Sequence, residues 1–207
     1  MISLILAWSY LNFGSKAISL LLFGKPLMSL AHVILGLLQQ QERTGYDLKT
    51  ECFDDCIAHL WQADQAQIYR TLDKLESQGW ITCTVKIQHD RPNRKVYRIT
   101  KAGEAELARW LQTHQPLPVL REPLLVQLYF AAQLPNEVII SLLEQELEAR
   151  REKLSDCDAI DVSASDDSMA LRDQTMHGLV LELVKRREQT YLDWLEKAIA
   201  TIRSQLT

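Results

Sequence analysis

The change of period at Gly79 constrains this chain more than any other feature. Before it, the run DQAQIYRTLDKLESQ from Asp64 places Ala66, Ile68, Tyr69, Leu72 and Leu75 at helical spacing. After it the pattern alternates: Ile81, Cys83, Val85 and Ile87 share one face, and Val96, Arg98 and Thr100 alternate with Lys95, Tyr97 and Ile99 on the return. Between the two runs, His89-Asp90-Arg91-Pro92-Asn93 has turn chemistry. Asp64 is a suitable N-cap and Gly79 a suitable C-terminal stop. The segment therefore predicts a helix leading into a two-stranded hairpin, which is the layout of a winged helix-turn-helix.

The flanking sequence fits that reading. Ser29 is an expected cap for a helix reaching Gln40, with Leu30, Val33, Ile34, Leu37 and Leu38 on its buried face. Thr44-Gly45 breaks the chain, and Tyr46 opens a second helix expected to end near Phe53. A turn region holding Trp61 as a core aromatic follows. Thr100 caps a helix expected over Lys101 to Gln112, with Leu107, Trp110 and Leu111 inward. Pro116 and Pro118 mark a linker. Beyond it the pattern is helical: Glu122 to Ala132, then a helix with Pro135 in its first turn. The second of these carries Val138, Ile139, Leu142, Leu143 and Leu147 on a stripe continuing to Leu154. Residues 156–168 read as an acidic, serine-rich turn. A long last helix then sets Leu171, Thr175, Leu179, Leu183, Tyr191, Trp194, Leu195, Ala198 and Ile202 at steps of three and four. Two such helices cannot bury both stripes alone, and a second copy of the chain is the simplest partner; an intramolecular hairpin packed on the winged part is the competing arrangement. The expected fold is mainly α with a small β-hairpin, a winged helix-turn-helix over 28–114 and a coiled-coil-like helical dimerisation domain over 115–207.

Charge distribution says more than the net charge of −4. Residues 28–114 are neutral overall and residues 115–207 carry a net −6. Within the hairpin, Lys86, Arg91, Arg94, Lys95, Arg98 and Lys101 face only Asp90, a local excess of five positive charges. A concentrated cationic edge suits phosphate binding; a solvated polar hairpin is the plainer reading. The four cysteines (52, 56, 83 and 157) form no metal-ligand spacing, so packed, reduced thiols in a cytoplasmic protein are expected, with no cofactor and no metal. Residues 1–27 are apolar but interrupted by Asn12, Gly14 and Lys16. They lack the basic start of a signal peptide, and Lys16 counts against a membrane span. Met28 begins a natural-looking start, so this extension reads as upstream sequence or as an apolar helix packed on the dimer. No nucleophile elbow, P-loop, HExxH or dinucleotide-binding glycine pattern is present, and no enzymatic activity is expected.

Four stretches taken together, MSLAHVILGLL, TGYDLKTEC, QIYRTLDKLESQGWI and DRPNRKVYRITKAGEAEL, resemble the PadR family of transcriptional regulators, and within it the virulence-activator (AphA-like) branch. The resemblance is strong over Met28 to Leu111; the helical tail agrees in pattern only, and residues 1–27 have no counterpart in it. It implies an amino-terminal winged helix that binds DNA and carboxy-terminal helices that dimerise.

On the 64–78 helix, burial of Ile68, Leu72 and Leu75 leaves Gln65, Gln67, Tyr69, Arg70 and Lys74 as candidates to face DNA. Glutamine can read adenine and arginine can read guanine or hold phosphate. Tyr69 suits a phosphate contact, and a half-buried core tyrosine equally. At the wing, Arg91, Asn93, Arg94 and Lys95 can reach phosphates or the minor groove. The expected function is sequence-specific binding of double-stranded DNA at an inverted repeat by a homodimer. A winged helix used to bind protein is the alternative. A small apolar effector in a pocket lined by Trp61, Trp110, Trp194 and Tyr129 is a third reading, against ordinary core packing of those rings.

Overall fold

The computed structural model describes residues 30–87, 93–118, 121–160 and 168–204. The expectations for Ser29 as a cap, for residues 1–27 and for the wing tip at 88–92 lie outside these residues. The chain divides into two compact units, one ending at Pro118 and the other starting at Val119.

In the first unit, α1 (Leu30–Gln40) buries Ile34, Leu35, Leu37 and Leu38. A short strand follows, β1 (Arg43–Thr44), and then α2 (Gly45–Asp47). Thr44 does not simply break the chain. It closes a capping box in which the Asp47 amide donates to Thr44 Oγ1 at 3.0 Å and the Thr44 amide donates to an Asp47 carboxylate oxygen at 3.1 Å. The helix then widens into a π-helical run, Leu48–Cys56, burying Leu48, Cys52 and Phe53. Helical winding thus continues three residues past the expected end at Phe53.

Helix α3 (Gln65–Ser77) forms as its sequence demands. Asp64 and Gln67 make a reciprocal capping box, and Ile68, Leu72 and Leu75 are buried. Gly79 has φ +70°, and the Trp80 and Gly79 amides donate to the carbonyls of Leu75 (3.0 Å) and Glu76 (2.9 Å). That pair of bonds is a Schellman stop, which needs a residue at ease in left-handed backbone.

Strands β2 (Ile81–Lys86) and β3 (Arg94–Ile99) pair antiparallel, with Ile81 opposite Ile99 and Cys83 opposite Tyr97. The expected two-stranded hairpin is in fact one side of a three-stranded sheet ordered β1-β3-β2, because Arg43 and Thr44 pair with Tyr97 and Val96. A two-residue strand is too short to leave an alternation in the sequence. Ile81 and Tyr97 are buried, and burial pushes the Tyr97 hydroxyl up to about 12. Val85 and Ile87 continue the apolar alternation but are exposed, since the strands outrun the core. Helix α4 (Lys101–Leu111) is capped by Thr100 and packs Leu107 inward, whereas Leu111, expected inward, faces solvent.

Gly103 explains how tightly α4 seats. A Cβ there would lie 2.1 Å from the Trp80 carbonyl oxygen and 2.8 Å from Ile99 Cγ1. Gly103→Ala must push α4 off backbone that cannot yield. A loss of about 1–3 kcal/mol in unfolding free energy is expected by urea titration, as for other overpacked sites.

The second unit contains α5 (Pro123–Phe130), a 3₁₀ turn at Ala131–Gln133, α6 (Asn136–Asp158) and α7 (Ser168–Ser204). Its core joins Leu124, Ala131, Ile139, Leu143 and Leu147 to Leu192, Leu195 and Ile199. Ion pairs fix α6 and α7 antiparallel: Arg203 meets Glu144, Arg151 meets Glu196 and Lys185 meets Asp158. Asp156 to Asp158, expected in a turn, form the last turn of α6, with Cys157 buried. Because Lys185 already sits at the end of α6, the earlier part of α7 runs past it. On that stretch Leu171, Leu179 and Leu183 are exposed while Leu181 between them is buried, so the helix face decides as well as the length; Val138 on α6 is exposed too. The face of α7 buried within the chain is instead Leu181, Glu188, Leu192, Leu195 and Ile199.

Candidate nucleic-acid interface

Helix α3 presents one broad solvent face. With Ile68, Leu72 and Leu75 inward, helical geometry turns Ala66, Arg70, Asp73, Lys74 and Ser77 outward, and all five are exposed. Arg70 donates its Nε to the Ala66 carbonyl at 3.2 Å, which holds the guanidinium along the helix surface and leaves its terminal nitrogens available. Among the described residues, no carboxylate pairs with Arg70 or Lys74. The two also line an open groove of about 510 Å³ together with Leu30, Trp61, Gln67 and Thr71. Gln65 is exposed at the first position of the helix.

Two of the sequence candidates have other work. Gln67 Oε1 accepts the Asp64 amide at 3.1 Å, so its carbonyl oxygen serves the capping box and only its amide nitrogen remains to donate. Tyr69 is half-buried and packs against the core of the first unit. Its ring lies so close to Gly45 that a Cβ there would fall 2.6 Å from Tyr69 Cε1. This contact gives the glycine of the Gly45-Tyr46-Asp47 run a reason, and it settles Tyr69 against α2. Tyr46, by contrast, is 63% exposed beside the same helix junction; sequence reasoning passed over it because a lone tyrosine has no pattern.

The wing is less bare than its own sequence suggests. Arg94 donates to both carboxylate oxygens of Asp47, at 3.1 and 3.2 Å. Arg98 donates to Glu42 at 3.0 and 3.3 Å, and Lys86 Nζ lies 3.6 Å from the other Glu42 oxygen. Lys101 pairs with Glu104 at 2.8 Å. Glu42 and Asp47 come from outside the hairpin, brought in by β1, so they were invisible to a count made within it. Burial works against the charged form of Asp47, but the bonds from Thr44 and the charge of Arg94 outweigh it and hold the carboxyl below its usual range. Lys95 is exposed and has no carboxylate partner among the described residues; Asn93 is exposed, and Arg91 lies outside them.

The four aromatic residues considered for an effector pocket are engaged within their own units. Trp110 stacks on His32 at 4.8 Å, and His32 Nε2 lies 3.2 Å from Glu106, tying α1 to α4. Trp61 packs on the core of the first unit. In the second, Tyr129 makes an edge contact with Phe130, and Trp194 makes one with Tyr191. Cys52 is buried beside Cys56, and that burial raises its thiol to about 11.

A capped helix with exposed cations beside a three-stranded wing, followed by an antiparallel helical unit, defines a winged helix-turn-helix regulator. Residues 34–109 match the transcriptional regulator PadR-like family, and residues 120–203 match the virulence activator alpha C-terminal family. The negative transcriptional regulator PadR of Bacillus subtilis (strain 168) is 35% identical over 177 residues, spanning 84% of this chain and 97% of that protein. A probable transcriptional regulator of Mycobacterium tuberculosis is 32% identical over 191 residues, covering 86% of this chain and all of its own length (100%). The crystal structure of Bacillus subtilis PadR in complex with operator DNA superposes with a TM-score of 0.69 at 34% identity, covering 84% of this chain and 98% of that one. The Vibrio cholerae virulence activator AphA gives a TM-score of 0.68 at 26% identity, covering 86% and 99%. The chain belongs to the PadR-like family of transcriptional regulators. No helix among the described residues is long and apolar enough to cross a membrane.

Proposed function

We propose that this chain is a cytoplasmic, non-enzymatic regulator that binds an inverted-repeat operator as a homodimer. Residues 28–114 contact DNA and residues 115–207 self-associate. The observation that carries this reading is the pair of exposed cations Arg70 and Lys74 on α3, without a carboxylate partner among the described residues, in a unit where Lys86, Arg94, Arg98 and Lys101 are all paired. Gln65, Gln67, Arg70 and Lys74 face the major groove, with Tyr69 seating the helix against α2 and adding its hydroxyl at the rim. Arg91, Asn93, Arg94 and Lys95 reach phosphates or the minor groove. The operator complex of Bacillus subtilis PadR supports the DNA reading. A crystal structure of that protein with p-coumaric acid, at 34% identity and a TM-score of 0.68, supports a small-molecule effector here. The exposed stripe of Leu171, Leu179 and Leu183 supports a second copy as the partner of α7.

Salt titration of binding to the DNA upstream of the chain's own gene tests the reading. Each phosphate neutralised steepens the fall of log K with log salt by about 0.9 unit, and a dimer touching several phosphates is expected to show a slope of at least about −4. Sedimentation in the same buffers is expected to give a dimer. A flat salt response, or a monomer that binds a single half-site at full strength, would favour a winged helix turned to binding protein instead.

A further inference from the structure

Glu42 occupies a position that the helix, strand and capping patterns leave without a role. It lies in the irregular link between α1 and β1 and caps no helix. One carboxylate oxygen accepts from Arg98 Nη2 at 3.0 Å and Nε at 3.3 Å, and the other lies 3.6 Å from Lys86 Nζ. The strand register puts these cations on one side of the sheet: Arg98 is opposite Thr82, and Lys86 is opposite Arg94. Antiparallel partners share a face, so Lys86, Arg94 and Arg98 lie opposite the core-facing Ile81, Cys83 and Tyr97. The carboxylate and both its cationic neighbours remain open to water, with side-chain exposures of 40% for Glu42, 71% for Arg98 and 59% for Lys86. A carboxylate between two accessible cations on an outward sheet face is what a phosphate would displace.

We propose that Glu42 is an internal competitor for DNA phosphate, holding Lys86 and Arg98 in the free protein and lowering affinity for DNA of every sequence. The inference rests on the wing being part of the DNA interface. Ion pairs this open to water hold weakly, so phosphate can take both cations from Glu42. The displaced carboxylate then stays beside the DNA backbone and repels it. The hydrogen bond and charge of Arg98, followed by the charge of Lys86, keep the Glu42 carboxyl below its usual range, so it remains ionised at neutral pH. Its effect is on the sequence-independent part of binding, because neither Lys86 nor Arg98 is on α3. Glu42 thereby limits occupation of random DNA while leaving base reading to Arg70 and its neighbours.

The full-length Glu42→Gln chain tests this by fluorescence anisotropy on operator and on random duplex over a range of salt. One added net positive charge is expected to steepen the salt slope by about 0.9 unit, or about eightfold tighter binding at 0.1 M relative to 1 M salt, equally on both duplexes. Adding Lys86→Gln and Arg98→Gln is expected to abolish the gain. Unchanged slope and affinity in Glu42→Gln overturn the competitor role while leaving the DNA-binding reading intact, provided the unaltered chain binds with a steep salt dependence. A gain that survives in the triple variant overturns it too, since the effect would then be one of overall charge. So does a loss of operator affinity in Glu42→Gln, which would make Glu42 a positioning residue for the wing. An unaltered chain whose binding ignores salt overturns the competitor role and the interface together.

Discussion

Replacing Glu188 by alanine is expected to cost about 3 kcal/mol of folding stability in the helical unit. The side chain is only 4% exposed, yet it receives Arg150 Nη1 at 2.8 Å and Lys153 Nζ at 2.5 Å from across the α6–α7 seam. Arg150 also meets Glu146 at 2.8 Å and lies 3.9 Å over the Tyr191 ring. Removing one member of a buried pair leaves an uncompensated charge, typically at about 3–5 kcal/mol. The lower end applies here, because Lys153 is half-exposed and can turn to solvent. Urea unfolding of the two chains provides the measurement, and a difference under 1 kcal/mol would show that Glu146 alone satisfies Arg150.

The same residue gives a pH dependence. Burial alone would raise the Glu188 carboxyl, but the bonds from Lys153 and Arg150 outweigh it and hold the group below its ordinary value of 4.5. A group with a depressed folded pKa stabilises above its unfolded pKa, and that contribution disappears as pH falls through the folded one. The unaltered unit is therefore expected to lose stability below about pH 4.5 more steeply than Glu188→Gln, which titrates no proton at this position.

What could be read in the sequence follows from how local each cause is. Asp64, Gln67, Gly79 and Thr100 act within three or four residues of their own chain position, so the bounds of α3 and the start of α4 were legible. The long helices were legible in existence and not in orientation. Leu179 and Leu183 stand a helical step of four apart and Leu192 and Leu195 a step of three, and nothing local says that only the second pair is covered. β1 escaped because two residues carry no period. The ion pairs that reshape the wing join positions 47 and 56 residues apart, so a charge count confined to the hairpin was bound to miss Asp47 and Glu42. Gln67 shows the same limit in reverse: its place on the solvent face was readable, whereas the loss of its carbonyl oxygen to the capping box was not.

That limit sets the second large effect. Arg70→Ala is expected to weaken operator binding about 10- to 100-fold and binding to random DNA far less, because a side chain that reads a base edge contributes about 1–3 kcal/mol of discrimination. Lys74→Ala is expected to weaken both alike and to flatten the salt slope by about 0.9 unit, as loss of a point-charge phosphate contact does. The two lie four residues apart on one exposed face of α3, neither held by a carboxylate among the described residues, so they differ in chemistry rather than in access. Arg70 has a planar fork that matches guanine, whereas Lys74 has a single ammonium near the end of the helix. Gln67→Ala separates reading from capping: it removes the bond to the Asp64 amide and so costs stability, and only an operator-selective loss beyond that would make its amide nitrogen a base contact. If Arg70→Ala instead lowers affinity for operator and random DNA by the same factor, the guanidinium holds phosphate, and the base-reading face must be sought around Gln65 at the start of α3.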